Sequence, residues 1–295
     1  MSEIQRIAVL GAGTMGLGIA HVAALAGYDT HLYDVVPEAL EGAERRIHAN
    51  LDKGVERGKV EAEQAAAAKE RLHLARELAP AVEASDLVIE AAPESIELKI
   101  EIFGQVVAAC PEHAILSSNT SSLSITEMAA ATDRPERFAG MHFFNPVHIM
   151  RLIELVRGLE TAPETIATLQ AVGERMGKEV VTVNESPGFV TSRINVLIGN
   201  EAFRMLEAGV ASAEDIDKAL KLGLNHPMGP FEMADLVGLD VRLSILEYLH
   251  QTLGDTYRPT GLMERYVKAG RLGRKTGRGV YRYDESGRRI SEEGG

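Results

Sequence analysis

Cysteine is almost absent from this chain. Cys110 is the one cysteine in 295 residues, which excludes a disulfide within the chain and any cysteine-rich metal site, and suits a reducing compartment. Basic residues are outnumbered as well: 31 Lys and Arg stand against 43 Asp and Glu, for a formal net charge of −12. That balance removes the basic surface that nucleic-acid phosphates require, so an anionic ligand would need a local cluster of cations. Apolar runs long enough for a membrane span, about 20 residues, are missing. The apolar run Ile7-Ala-Val-Leu10 begins so soon after Met1 that no signal peptide fits before it. These absences point to a cytoplasmic protein that binds neither membrane nor nucleic acid. Internal repeats and low-complexity segments are also lacking, apart from an alanine-rich run after Gln64 that reads as helix.

What is present is ordinary for a globular protein, 45% hydrophobic and 25% charged, in a chain long enough for two domains. The run Arg6 to Leu10 ends in Gly11-Ala-Gly-Thr-Met-Gly16 and is followed by helical periodicity to Ala26, with Gly27 at the C-terminal position. In a strand, glycine turn and helix of this kind, Gly11 makes the tight turn and Gly13 lets backbone approach a pyrophosphate. Gly16 lets helix and strand pack closely, and the phosphates sit on the helix N-terminus. A second strand, Thr30 to Asp34, ends in an acid at the distance expected for a ribose contact. No arginine follows it, which favours NAD over NADP.

From Pro37 a long helix runs to Arg57, with Arg45, Arg46, Lys53, Arg57 and then Lys59 among its charges. They read either as a solvated face or as a cationic patch for a phosphorylated substrate. Strand and helix then alternate through strands near Leu72–Leu74, Asp86–Glu90, Ala114–Ser118, Phe138–Met141, Leu152–Val156 and Val180–Val183. This pattern predicts an α/β fold, a Rossmann-type doubly wound, mostly parallel sheet. Ligands bind such sheets beyond the carboxyl ends of the strands, where Glu94, Asn119 and Ser121 fall. The Ser-Pro-Gly signal at 186–188 places the boundary between a domain of residues 1–185 and a helical domain of residues 186–295. The second begins with a long apolar helix and continues with a Ser212-initiated one; its apolar faces suggest a homodimer formed through this half.

Gly140 to Glu154 carries one histidine, His142, and one carboxylate, Glu154, at the ends of an apolar segment broken at Asn145-Pro146. Imidazole titrates near neutral pH, and a carboxylate can orient it, so the pair suits proton transfer coupled to movement of another group. The alternative is two plain strands with a core histidine.

Gly11-x-Gly-x-x-Gly16, Glu90-x-x-x-Glu94, Ser118-Asn-Thr-Ser121, His142-Phe-Phe-Asn-Pro146, Glu154, Pro187-Gly-Phe189, His226-Pro-Met-Gly-Pro-Phe-Glu232 and Lys275-Thr-Gly together resemble the 3-hydroxyacyl-CoA dehydrogenases, most of all the short-chain 3-hydroxybutyryl-CoA type. The resemblance covers nearly the whole chain. It implies NAD-dependent interconversion of (S)-3-hydroxyacyl-CoA and 3-oxoacyl-CoA, with His142 as acid/base, Glu154 as its partner and Ser121 on the substrate oxygen. It implies NAD contacts at Gly11, Gly13, Thr14, Met15, Gly16, Asp34, Glu94, Lys99, Asn119, Ser121, Asn145 and Lys275. Coenzyme A contacts would fall at Asn50, Lys53 and Arg57, and no metal is implied. Where many members carry Val-Asn-Arg after Pro-Gly-Phe, this chain has Thr191-Ser192-Arg193, so Ser192 is expected to take the part of that asparagine. Two other readings share the architecture: a dehydrogenase of small hydroxy acids or sugar acids without coenzyme A, and a non-catalytic NAD-binding protein.

Overall fold

The structure, a computed structural model, describes residues 4–290. It divides into two units, at residues 1–186 and 187–295. In the first unit, β1 (Arg6–Leu10), α1 (Thr14–Leu25), β2 (Asp29–Tyr33), α2 (Pro37–Glu56), α3 (Ala62–Glu70), β3 (Leu72–Ala75), α4 (Leu78–Val82) and β4 (Leu87–Glu90) lead into α5 (Ile96–Ala109) and β5 (Ile115–Ser118). The unit continues with α6 (Ile125–Ala130), β6 (Phe138–Phe143), β7 (Leu152–Arg157), α7 (Pro163–Arg175) and β8 (Glu179–Asn184).

The eight strands form one sheet in the order β3-β2-β1-β4-β5-β6-β7-β8. All neighbours are parallel except β6 and β7. Central strands such as β4, Leu-Val-Ile-Glu, are buried throughout, as a sheet covered on both faces demands. Because side chains alternate along a strand, each strand divides its residues between two layers. Ile7, Val9, Leu32, Leu87, Ile89, Ile115, Met141, Ile153 and Leu155 join one core with α1, α2 and α7. The intervening positions face the other layer, where Phe103 of α5 packs edge-on against Phe138 at 4.7 Å between ring centroids. Glu90, Ser118, His142 and Glu154 all have this second parity.

The second unit contains α8 (Thr191–Glu207), α9 (Ala213–Gly223), α10 (Pro230–Val237), α11 (Leu239–Leu253) and α12 (Gly261–Lys268). Ser212 caps α9 by accepting from the Asp215 amide at 3.1 Å while its hydroxyl donates to the Asp215 carboxylate at 2.6 Å, so the acid at this position holds the capping hydroxyl, where the Glu or Gln of a capping box would take the cap residue's backbone N–H. The purely helical reading fails after α12. Isolated bridges pair Gly273 with Arg278, Arg278 with Arg282 and Tyr283 with Arg289. The Asp235 carboxylate gathers this segment, accepting from the Val280 and Tyr281 amides and the Tyr283 hydroxyl at 2.8 to 2.9 Å. No helix among the described residues is long and apolar enough to cross a membrane.

Candidate active site

The glycine turn after β1 is held by close backbone approach. Gly11 has φ +104, and a Cβ there would meet the Ala91 carbonyl oxygen at 2.7 Å; a Cβ on Gly16 would meet the Gly11 oxygen at 1.6 Å. A Cβ on Gly13 would meet nothing within 4 Å, so the backbone there faces open space. Gly13 is the N-cap of α1 and gives no side-chain cap, and the first turn holds no acid. With Thr14 exposed and Met15 half-buried in that turn, the helix presents amide groups and the positive end of its dipole to an anion. Asp34, just past β2, accepts from the Ala12 amide at 2.7 Å and the Val36 amide at 2.9 Å. One carboxylate therefore braces the turn and stands beside it, where its remaining lone pairs suit ribose hydroxyls. These residues fit NAD.

His142 lies within β6, one residue further along than the sequence reading placed the strand end, and its register partner across the antiparallel pair is Glu154 on β7. Their side chains share a face, and His142 Nδ1 lies 2.8 Å from Glu154 Oε2. Glu154 is fully buried and His142 is 6% exposed. Holding Nδ1 on a carboxylate fixes the orientation of the imidazole ring. The His142 ring is 4.5 Å from that of Phe144, and Asn119 Oδ1 accepts from the Phe143 amide at 2.9 Å, bracing the strand end. Since β6 runs parallel to β5 and β1, His142, the 119–122 loop and the glycine turn share one edge of the sheet.

Behind that edge is a network the sequence reading missed. Glu90, fully buried, accepts from Lys99 Nζ, Ser118 Oγ and the Ala92 amide, each at 2.6 Å. Lys99, expected as an NAD contact, is 1% exposed; its ammonium is committed to Glu90, to the Ala92 carbonyl at 3.2 Å and to Glu94 at 3.5 Å. It thus lies beneath the site and orients its acids. Glu94 Oε1 in turn accepts from Thr120 Oγ1 at 2.6 Å, from the Ser121 amide at 3.0 Å, and from Ser121 Oγ and Ser122 Oγ at 3.3 Å. The available signal was an acid ending a buried strand, Glu90, nine residues before a lysine on the facing helix.

The loop after β6, carrying exposed Asn145, is fastened from below. Lys178 Nζ donates to the Val147 carbonyl and, at 2.8 Å, to the Met150 carbonyl. Val147 packs against Gly18 of α1, and His148 stacks on His21 of the same helix with ring centroids 5.4 Å apart. Burial pushes His21 down to about 4, with His148 and Lys178 adding repulsion.

Asn50 and Lys53 on α2, and Arg57 at its C-cap, follow one another at spacings of three and four beside the buried stripe of Leu40, Ala43, Ile47 and Leu51. Asn50 is half-buried, and Lys53 and Arg57 are exposed. In the second unit, Ser192 lies half-buried in the first turn of α8. Lys275 pairs with Asp240 at 2.6 Å. An apolar cavity of about 350 Å³ there is lined by Val190, Thr191, Ile194, Asn195, Ile198 and Met233, among others.

A dinucleotide turn closed by an acid, with a buried imidazole–carboxylate pair on the same sheet edge, defines an NAD-dependent dehydrogenase. Comparison with known proteins narrows the class: the 3-hydroxyacyl-CoA dehydrogenase NAD binding domain matches residues 6–186, and the C-terminal domain of the same enzymes matches residues 188–283. The chain belongs to the 3-hydroxyacyl-CoA dehydrogenase family. It is 49% identical to the "Probable 3-hydroxybutyryl-CoA dehydrogenase" of Bacillus subtilis, over 96% of this chain and 99% of that protein. It is 47% identical to the 3-hydroxybutyryl-CoA dehydrogenase of Bradyrhizobium diazoefficiens, over 95% and 96% respectively. The crystal structure of (S)-3-hydroxybutyryl-CoA dehydrogenase from Ralstonia eutropha superposes with a TM-score of 0.92 at 44% identity, covering 96% of this chain and all of that one.

Proposed function

We propose that this enzyme interconverts short-chain (S)-3-hydroxyacyl-CoA, 3-hydroxybutyryl-CoA above all, and the corresponding 3-oxoacyl-CoA, with His142 as acid/base. The buried His142–Glu154 pair, 2.8 Å apart in strand register, carries this reading. When bound, NAD supplies the acceptor for the hydride that leaves C3. As the C3–H bond breaks, His142 Nε2 takes the hydroxyl proton and the oxygen electron pair closes the carbonyl. The imidazolium so formed faces Glu154, whose charge is already in place and needs no reorganisation. Ser121 hydrogen-bonds the developing carbonyl oxygen, turning its hydroxyl from its long 3.3 Å contact with Glu94. In the reverse direction His142 returns the proton.

Asp34 takes the adenosine ribose, α1 the pyrophosphate, and Glu94, Asn119, Asn145 and Lys275 the remaining NAD contacts. Asn50, Lys53 and Arg57 receive coenzyme A; the exposed cations at Lys53 and Arg57 support this part, in an otherwise acidic chain. Ser192 stands in for the family asparagine. The names of the relatives support the short acyl chain. Two copies associate through the helical unit, where Leu222 and Leu224 are 77% and 66% exposed, a point that sedimentation decides. The cytoplasm is the proposed location.

NADH formation measured with 3-hydroxybutyryl-CoA beside free 3-hydroxybutyrate tests the substrate: the thioester is used and the free acid is not. Activity on the free acid alone overturns the assignment. His142→Ala is expected to lower kcat about 10²–10⁴-fold with NAD binding intact; near-wild-type turnover refutes the role of His142.

A further inference from the structure

At the opposite edge of the sheet from the NAD turn, three side chains with metal-ligand chemistry converge. Asp29 and His31 are two residues apart on β2 and so project from the same face. His73 on β3 is the register partner of His31, which brings it to that face too. Asp29 Oδ1 lies 2.8 Å from His73 Nε2, and Asp29 Oδ2 lies 3.5 Å from His31 Nε2. All three donor atoms fall within 4.8 Å of one another. The two imidazole rings are tilted by 42° with their centroids 5.0 Å apart. His31 Nε2 is a buried atom with no hydrogen-bond partner among the described residues. It lies near the other two groups without being satisfied by them, a costly arrangement for a buried polar atom.

We propose that Asp29, His31 and His73 bind one divalent transition-metal ion, with Zn2+ the best match. Two imidazoles and a carboxylate are a donor set of intermediate softness that suits zinc, and water completes the tetrahedron. Ligands about 2.0–2.2 Å from zinc stand roughly 3.4 Å apart. Asp29 Oδ1 and His73 Nε2, at 2.8 Å, stand closer than that and all three donors lie within 4.8 Å, so the adjustment falls on the His73 side chain, which is 47% exposed and able to turn. Arg6 Nε holds Asp29 Oδ2 at 2.7 Å, which fixes the carboxylate plane, leaves Oδ1 to the metal and supplies the supporting hydrogen bond that metal-bound carboxylates use. The guanidinium's charge lowers the affinity below that of a structural zinc centre. The ion would tie the edge strand β3 to β2 and, through Arg6, to β1, away from the edge that carries His142.

Calorimetric titration of metal-depleted protein with Zn2+, and with Co2+ followed by its visible absorbance, tests the site. Wild type is expected to take up one ion per chain with a rise in Tm of several degrees at saturating metal. His73→Ala is expected to weaken binding at least tenfold and abolish the Tm rise. His73→Gln keeps a side chain of similar reach and gives the same loss. His113→Ala, which alters the separate His113–Asp86 contact, leaves binding unchanged. No uptake by wild type, or equal uptake by wild type and both His73 variants, overturns the proposal.

Discussion

Acid should weaken this protein through His21, and by an amount the structure allows one to work out. The side chain is buried in α1, 4% exposed, stacked on His148 and near the ammonium of Lys178. Burial first, then His148 and the Lys178 ammonium, hold its pKa at about 4 against 6.5 in the unfolded chain. Above pH 6.5 the ring is neutral in both states and the folded form keeps its full advantage. Between 6.5 and about 4 the unfolded chain takes up a proton that the folded chain refuses, so stability falls as the pH falls. The gap between 6.5 and about 4, at about 1.4 kcal/mol for each pH unit, amounts to about 3 kcal/mol. With no tryptophan in the chain, urea unfolding is best followed by far-UV circular dichroism, at pH 7.5 and 4.5, for wild type and His21→Gln. Every other titrating group is common to the two proteins, so the wild type should lose roughly 2–3 kcal/mol more than the variant between the two pH values. Parallel losses would refute the account of His21. The effect bears on function because His21 and Lys178 fasten the loop that follows His142.

Glu154→Gln keeps the shape of the pair and removes the charge that faces the imidazolium; a hydrogen bond to a charged group is worth about 1.5–3 kcal/mol, so kcat should fall about 10- to 100-fold with KM for NAD unchanged. A kcat within a factor of two of wild type removes Glu154 from the mechanism. Ser192→Ala is expected to lower kcat/KM for the acyl-CoA substrate several-fold while NAD affinity holds; an unchanged value means that serine does not replace the family asparagine. Asp235→Ala strands the Val280 and Tyr281 amides and the Tyr283 hydroxyl, at about 1–3 kcal/mol each. Its helical unit should therefore melt well below that of wild type in calorimetry, whereas an unshifted transition contradicts the role of Asp235 as the anchor of the C-terminal segment.

Much of the first unit is legible residue by residue. Short buried runs such as Leu87–Glu90, the Gly11-x-Gly-x-x-Gly16 turn and the Pro37 helix start are local signals, because strand propensity, φ > 0 at glycine and helix initiation depend on neighbours in sequence. The parity of each strand is local too. Once Ile7 and Val9 or Met141 and Phe143 are taken as facing one core, His142 must face the other layer. The resemblance of the motifs then attached chemistry to those positions and named Glu154 as the partner of His142, without giving the strand register that brings the two together.

Tertiary structure decided what lies opposite what. That β6 and β7 are the antiparallel pair, with His142 against Glu154 rather than against a neighbour two residues away, is a matter of register, and register is set by the whole sheet. The same holds for Lys99. In the sequence it is one more cation on an amphipathic helix, and only the packing of α5 over β4 carries its ammonium to Glu90 and out of contact with solvent. The β-bridged segment after α12 likewise forms because Asp235 reaches it across 45 residues of chain, a contact no window of local sequence contains. Asp29, His31 and His73 meet for the same reason: one strand supplies two of them, and the third arrives through the pairing of β2 with β3. Composition and periodicity are sums over near neighbours and specify elements and faces, whereas a site is a set of distances between strands that only the closed sheet determines.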